Sequence, residues 1–586
     1  MRTNRLINRL LGLVAVCLLV CSPARAQVSR ERLEGLRARM QELKQFFEGL
    51  SEEERRALSG SAQNLMQLAR KWDEVEEEMG KELPQRQRLE TQRWSQLGRS
   101  AGHGRAEILS DVPAVSDPGA DFVVSVVSGF TQSETSTGWC EHNVVVGFND
   151  SGSLAESLLF GPGGASFNGL ARSTDRGATF VDLGFLNPGP SVFDFLEGDP
   201  VLTCTSENTF YYASLFQTGT PPAFLSAISV SKSTDGGLMF ADPVRAVAKP
   251  LSTHFLDKDW MAVDPTDPNR LFVTYTDFDS SLNICGRTPT GAIIRRAAIE
   301  LVRSSDGGLT WLAPVVIEQV CRPDFVQGSQ VAVGPSGEVH VAWERFVGGF
   351  VGPRSLRIRK SVDHGATFGP TVKVDDVTPS GDGFALQGGF RNFLTGFLGV
   401  DRSGGPTNGF VYIAWDDGRN LQVPDFGGIN GFYGYADILV RRSADGGATW
   451  SPAVRVNDNL EPLENGRGSD QYQAGIAVDK LGRVGVCFYD RRRDEFNFRI
   501  GRTCAVSRDA GTTWRNRPVD IPTFPPFHAN DVFINTQYMG DYDALASDFT
   551  GGTRGFIGAF QFINSKDVFQ PNPDVKVNRV GVPGED

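Results

Sequence analysis

Six times this chain repeats one frame of eight residues, Ser-x-Asp-x-Gly-x-Thr-aromatic, and that recurrence constrains the fold more than any other feature. The clearest copy, 443–450, reads Ser-Ala-Asp-Gly-Gly-Ala-Thr-Trp; others lie at 173–180, 304–311, 361–368 and 507–514. A weaker copy at 233–240 has Met239 in place of the threonine. The six aspartates, Asp175, Asp235, Asp306, Asp363, Asp445 and Asp509, are 60, 71, 57, 82 and 64 residues apart. A period of that order marks a repeat architecture.

The frame reads as a β-hairpin turn. Serine and aspartate side chains bond nearby backbone N–H groups, and glycine takes the φ > 0 position of the turn. Threonine restarts a strand, and the aromatic ring inserts between packed elements. Apolar alternation precedes each copy, as in Ile438-Leu439-Val440. Behind it lies an inner strand pair, such as Val331–Val333 and Val339–Trp343. One repeat is thus four short strands, A to D, with the frame between C and D.

The frame resembles the Asp-box (BNR) repeat of the sialidase superfamily of β-propellers, over roughly residues 121–580. That resemblance implies an all-β propeller with the frames on a rim away from the active site. Phe122–Val127 reads as a strand before the first repeat, while 543–548, 556–562 and 575–580 read as strands without a frame. The simplest closure joins these into one composite blade, which removes open sheet edges. Six framed blades plus one composite make seven; six, the number in true sialidases, is the alternative.

The organisation expected is a signal peptide at 1–26, a helical arm at 27–98, a linker at 99–120 and the propeller at 121–582. Arg2, Arg5 and Arg9 precede a short apolar run and Ala24-Arg25-Ala26 offers a cleavage site, the pattern of a secretory signal. No later stretch is long and apolar enough to cross a membrane, so a secreted or periplasmic chain is expected. The net charge of −12 argues against nucleic acid as the main partner. Six of the eight cysteines follow the signal and allow fifteen connectivities. Placement on the repeats favours Cys487–Cys504, Cys285–Cys321 and Cys140–Cys204, with buried free thiols as the alternative.

The arm is rich in Glu, Arg, Gln and Leu. Leu33, Leu36, Met40, Leu43, Phe47 and Leu50 form the seam of an amphipathic helix. Ser51 to Glu54 is a capping box that starts a second helix, whose stripe runs through Leu58, Leu65, Leu68, Trp72, Val75 and Met79 to Pro84. A third helical piece is expected around Leu89, Trp94 and Leu97. The arm packs as a hairpin or lies on the propeller's side; the alternative is a coiled coil for oligomerisation or docking.

In an up-and-down blade, the face opposite the frames collects the starts of A strands and the ends of B strands. It also holds the mouth of the central channel, the natural concave site. Those positions are acidic: Asp150, Asp277, Glu344, Asp416, Asp417 and Asp490 at B ends, and Asp199, Asp257, Asp259, Gln330, Asp470, Asp541 and Asp543 at A starts. Arg345, Arg391, Arg419 and Arg491–Arg493 are the basic partners. The resemblance implies that Tyr542, in Tyr542-Asp543-Ala544-Leu545, is the nucleophile that attacks an anomeric carbon. Glu344 would then be its base and Asp277 the proton donor. Arg391, Arg419, Arg491, Asp490 and Asp199 are the candidate substrate-binding residues. The alternative is that the carboxylates cap strand ends and pair with arginines as struts. The Phe/Tyr-Arg-Ile-Pro motif of true sialidases is missing, so recognition of an acidic sugar lacks its arginine clamp.

No cofactor is expected, and no metal signature appears. Acidic A-strand starts around a calcium ion are a subsidiary reading. The functions that remain are a sialidase-like glycoside hydrolase, a paired-aspartate hydrolase of neutral polysaccharide, and a non-catalytic propeller that binds a glycan, glycoconjugate or protein.

Overall fold

The computed structural model describes residues 23–73, 122–123 and 131–581, except 162, 282–283, 350–351, 393–395, 426–430, 463–465, 520, 527–533, 535–538 and 564–572. Seven sheets of four antiparallel strands follow one another, the second with Ala165–Ser166 added in parallel, and six of them have a frame between the third and fourth antiparallel strand. Their inner strands are Gln132–Cys140, Phe195–Cys204, His254–Asp264, Phe325–Val333, Phe397–Val400, Gln471–Val478 and Leu545–Ala546. The chain is a seven-bladed β-propeller. In the seventh blade, Phe122–Val123 pairs with Pro573–Val580, with Phe122 opposite Val577. The composite blade therefore draws on both ends of the propeller sequence. Of the expected strand 122–127, residues 124–127 lie outside the described residues.

Seven of the buried apolar clusters each lie between two neighbouring blades. Between blades 7 and 1, for instance, Trp139, Val144, Val146 and Phe148 meet Ile557, Ala559, Val575 and Val577. The strands are buried on both faces because each blade is covered by the next, which explains their near-continuous apolar runs.

The frames hold their turns through one set of bonds. Ser443 Oγ accepts from Gly447 N at 2.7 Å and donates to Asp445 Oδ1 at 2.7 Å. Asp445 Oδ1 accepts from Thr449 N at 2.9 Å, and the Thr449 hydroxyl donates to Oδ2. At 233–240 the backbone bond from Met239 to Asp235 survives at 3.0 Å, but Met239 has no hydroxyl to give the last one. The bonds from Thr449 hold the Asp445 carboxyl down to about 2, and Asp306 is likewise held at about 2 by Thr310. All three favoured disulfides are present: Cys140–Cys204, Cys285–Cys321 and Cys487–Cys504.

The arm departs from expectation. Helix α1 spans Pro23–Glu48, α2 spans Glu52–Ala57 and α3 spans Gly60–Arg70. The capping box forms, with Ser51 and Glu54 each bonding the other's backbone N–H. The second helix does not continue, however, because Leu58 is extended (ψ 153°) and Ser59 caps a new one. Val75, Met79 and the piece around Leu89, Trp94 and Leu97 lie outside the described residues, as do 1–22 and the linker. The arm covers the channel mouth. Leu36, Met40, Leu43, Phe47, Leu58 and Leu65 share one core with Phe195, Phe224, Leu251 and Phe255 of the propeller. Helix α4, Ser151–Phe160, contributes Leu154 and Leu158 to the same core.

Gly447 sits at φ +93°, where a side chain would meet nothing closer than Ile358 Cδ1 at 3.7 Å. Gly447→Val is therefore expected to cost about 1–3 kcal/mol through backbone strain alone. A denaturant melt that finds the variant equal to the wild type would remove the positive-φ account of this turn.

Candidate functional site

Five inner strands carry the same irregularity at the mouth. Pairing slips between Ser133 and Ser136, Gly198 and Val201, Asp257 and Trp260, Gln327 and Gln330, and Tyr472 and Gly475. Each slip holds a residue at positive φ: Glu134 at 50°, Asp199 at 53°, Lys258 at 53°, Gly328 at 69° and Gln473 at 51°. A bulge bends its strand and re-aims a side chain. For a non-glycine residue that backbone costs on the order of 1–3 kcal/mol, so four such residues point to function rather than stability.

The bulges gather Glu134, Asp199 and Lys258 around Tyr542, which is buried. The Lys258 ammonium lies 3.3 Å from the centre of the Tyr542 ring, and the Tyr542 hydroxyl donates to Pro200 O at 3.0 Å. Trp260 packs edge-on against both Tyr542 and Phe397, at 5.8 and 5.6 Å between ring centres. Glu134 accepts from Asn149 Nδ2 at 2.6 Å and from Asp541 N at 2.9 Å. Asp541 is forked by Arg391, with Nε at 2.9 Å and Nη2 closer still.

The arm enters this group at residues 58–61. Ser59 N donates to Asp257 Oδ2 at 2.7 Å, and its hydroxyl donates to Oδ1. Gly60 N donates to Asp541 Oδ2 at 2.6 Å, and Ser61 Oγ donates to Glu134 Oε2 at 2.8 Å. Arg391 Nη1 donates back to Leu58 O at 2.6 Å. The break in the helix at Leu58 is what aims these donors, because a continuing helix would have spent the amides on its own carbonyls. Farther out, Arg39 of α1 lies 4.9 Å from the Phe224 ring centre; burial lowers its pKa to about 10 against the pull of Glu197 and Asp194.

Burial sets the protonation here. It pushes the Asp257 carboxyl up to about 7, helped by Asp199 and resisted by the Ser59 bonds. Burial and then the carboxylates Asp199 and Asp541 raise Glu134 well above the usual range. Burial and Asp199 do the same for Asp259, and burial, Asp199 and Glu134 hold the Tyr542 phenol high. The charge of Asp199 is the largest of the neighbouring contributions to the rise at Glu134, after burial itself.

The expected site residues fall in different places. Tyr542 and Glu344 line one cavity with Lys258, Trp343, Phe397 and Asp541; its free space is about 20 Å³, room for about one water. Asp199 and Arg391 are at the mouth with them. Asp277 lies in a separate network, 2.8 Å from Lys249, 3.1 Å from Arg296 and 2.9 Å from His254. Arg419 forks Asp417 and also reaches Asp375. Arg491 is 3.4 Å from Asp470 and lies over Phe390 and Tyr472. Asp490 accepts from Thr503 at 2.6 Å and pairs with Arg492. Of the three arginines, the mouth holds Arg391, while Arg419 and Arg491 act as struts.

Glu134, Lys258 and Ser59–Ser61 escaped the sequence reading. Glu134 stands in a degenerate first blade, and its signal was the polar residue at the same step of each inner strand, as in Asp199 and Gln473. Nothing in the helical pattern marked Ser59, because the apolar stripe was read as running straight through it.

No family model matches the chain, and no curated protein matches it. Among solved structures, the Hadza microbial sialidase Hz136 is 15% identical over 72% of this chain and 75% of its own, with a TM-score of 0.37. A polysaccharide lyase family 25 ulvan lyase is 11% identical over 78% of this chain and 95% of its own, with a TM-score of 0.45. The α-L-arabinanase of Penicillium chrysogenum is 12% identical over 63% of this chain and 93% of its own, with a TM-score of 0.38. The likeness is one of fold.

The shifted acids fix a pH profile. Asp257, Asp150 and Asp416, each raised by burial to about 7, keep a proton in the folded chain that the unfolded chain loses near pH 4. Their contribution is full below that value and is lost as pH rises through about 7. The frame aspartates act oppositely: Asp306, Asp445 and Asp509, all at about 2, contribute above pH 4 and lose that contribution as pH falls through 2. The melting temperature is expected to fall between pH 4.5 and 7.5, and Asp257→Asn to flatten that slope. A wild-type melting temperature that climbs across the same interval would contradict this assignment.

Proposed function

We propose that this propeller acts on neutral glycans at its channel mouth, as a glycoside hydrolase of the paired-carboxylate kind. The observation that carries the reading is the crowd of buried carboxyl groups at the mouth. Glu134, Glu197, Asp199, Asp257, Asp259 and Asp541 converge there, with Lys258, Arg391 and the arm's Arg39 as cations. An acidic sugar would meet carboxyl groups on several sides, and Arg391 is already forked on Asp541. A sialoside is therefore the disfavoured substrate. Hydroxyl-rich neutral sugars suit a ring of strong acceptors, each able to take an O–H donor.

Glycoside hydrolysis needs one carboxyl that holds its proton and one that does not. Glu134 is raised well above the usual range, which makes it the proton donor to the leaving oxygen. Asp199, a buried carboxyl group beside Glu134, is assigned as the base: it draws a proton from water, and passing that proton on to Glu134 restores the starting state. Lys258 and Trp260 position the sugar ring, with Trp260 offering an apolar face beside Tyr542.

A second reading, with Tyr542 as nucleophile and Glu344 as its base, is favoured by the one cavity that both residues line. The similarity to the sialidase and the arabinanase concerns fold and does not choose between the two.

Hydrolysis assays of cellotetraose, arabino-oligosaccharide and a sialoside separate the readings. Under the first, Glu134→Gln and Asp199→Asn lower neutral turnover by about 10²–10⁴-fold, while Tyr542→Phe leaves most of it. Under the second, Tyr542→Phe and Glu344→Gln abolish it. Sialoside turnover as the main activity would overturn the neutral-sugar reading.

A further inference from the structure

Besides the apolar core that it shares with the propeller, the arm meets the mouth through two kinds of polar contact. At the tip, the backbone and hydroxyl groups of Ser59, Gly60 and Ser61 donate to Asp257, Asp541 and Glu134. These are hydroxyl and amide donors on carboxylate acceptors, the same pairing that a neutral sugar's hydroxyls would make. At the rim, two arginines on the propeller hold the start of α2. Arg295 is 3.0 Å from Glu54 and also bonds Gly49 O. Arg322 donates to Ser51 Oγ at 3.0 Å and to Glu53 at 3.2 Å. Arg322 follows Cys321, whose disulfide to Cys285 braces the segment, and Arg322 N bonds Arg295 O at 3.0 Å.

The fit at the tip is incomplete in a telling way. Asp259 is fully buried, yet neither of its carboxylate oxygens receives a donor from the arm or from elsewhere among the described residues. No arm group reaches the Asp199 carboxylate either, although Ser61 Oγ accepts from the Asp199 backbone at 3.2 Å. The Lys258 ammonium makes no hydrogen bond among the described residues. A permanent filler would be expected to satisfy these groups, since each buried polar group left unmade is costly. A stand-in for a larger, more hydroxylated occupant would leave them over.

We propose that the segment Ser59-Gly60-Ser61 is a displaceable internal ligand of the mouth, latched at the rim by Arg295 and Arg322, so that the arm gates glycan entry. The inference rests on the neutral-glycan reading for the identity of the competing ligand, but not for the gate itself. While the arm is docked the mouth residues are buried, and the apparent affinity for a sugar is reduced by the fraction of molecules in which the arm is out. The rim ion pairs lie outside the mouth, so weakening them raises that fraction without altering the sugar's own contacts.

The test is hydrogen exchange on the full chain, comparing wild type with Arg295→Ala/Arg322→Ala. In the double variant, amides of 51–70 and of the mouth strands at 196–201 and 255–260 should exchange at least ten times faster. Exchange in blade 6 and the main melting transition should be unchanged. Added cellotetraose should then slow exchange in the mouth strands of the variant and do so at least tenfold more weakly in the wild type. Opening without any protection by cellotetraose or arabino-oligosaccharide would keep the gate and sink the glycan reading. Amides of 59–66 that exchange only as slowly as the most protected propeller strands, in wild type and variant alike, would overturn the gate. If the double variant does not fold, Glu53→Gln, which removes one rim partner on the arm side, carries the same readouts.

Discussion

The antiparallel pairing of Phe122–Val123 with Pro573–Val580 is the constraint on which the rest of this molecule depends. Seven sheets in a row have two open edges. This pairing joins the last sheet to the residues just before the first, so the ring gains its seventh blade and Trp139 and Phe148 gain Ile557 and Val577 as neighbours. Only a closed ring brings Tyr542, which stands just before the last inner strand, beside Asp199 of the second blade and Lys258 of the third. Without closure the carboxylates would be scattered strand ends.

The ring and the mouth are built by opposite logics. The frames are low in cost and repeated: a serine hydroxyl, an aspartate and a threonine satisfy one another and the turn's amides. The mouth spends stability instead. Glu134, Asp199, Lys258 and Gln473 sit in a left-handed backbone that side chains rarely adopt, and several acids are buried beside one another. Such local conflict is characteristic of functional sites. Inside the mouth the Trp260 ring meets those of Tyr542 and Phe397 in T-shaped pairs.

Much of this was legible in the residues. The frames announced the blades, the unframed strands at 122 and 575–580 announced the joint, and Cys487 and Cys504, on consecutive predicted strands, announced each other as partners. Strand order alone put Asp199, Arg391 and Tyr542 on one face, and the structure brings the three near one another. What could not be read was long-range. Asp277 and Arg419 occupy positions formally like those at the mouth, but Lys249, Arg296 and Asp375 neutralise them, and such pairing depends on which blade stands beside which. The arm's path was hidden for a similar reason. An amphipathic stripe states that a face is covered, not by what, and Leu58 broke a helix whose apolar spacing ran on.

The composite blade also orders events during synthesis. The arm and Phe122 leave the ribosome well before their partners at 541 and 573–580. Until some 450 further residues have been made, α3 has no Asp541 to receive Gly60 N, and the first strand has no neighbour to pair with. The apolar seam of α1, which includes Leu36, Met40, Leu43 and Phe47, must wait until Phe195, Phe224, Leu251 and Phe255 have been made, and for Ile534 longer still. A chaperone, or an interim hairpin within the arm, has that interval to cover, and a chain cut short near its end would expose both the seam and an open sheet edge at once.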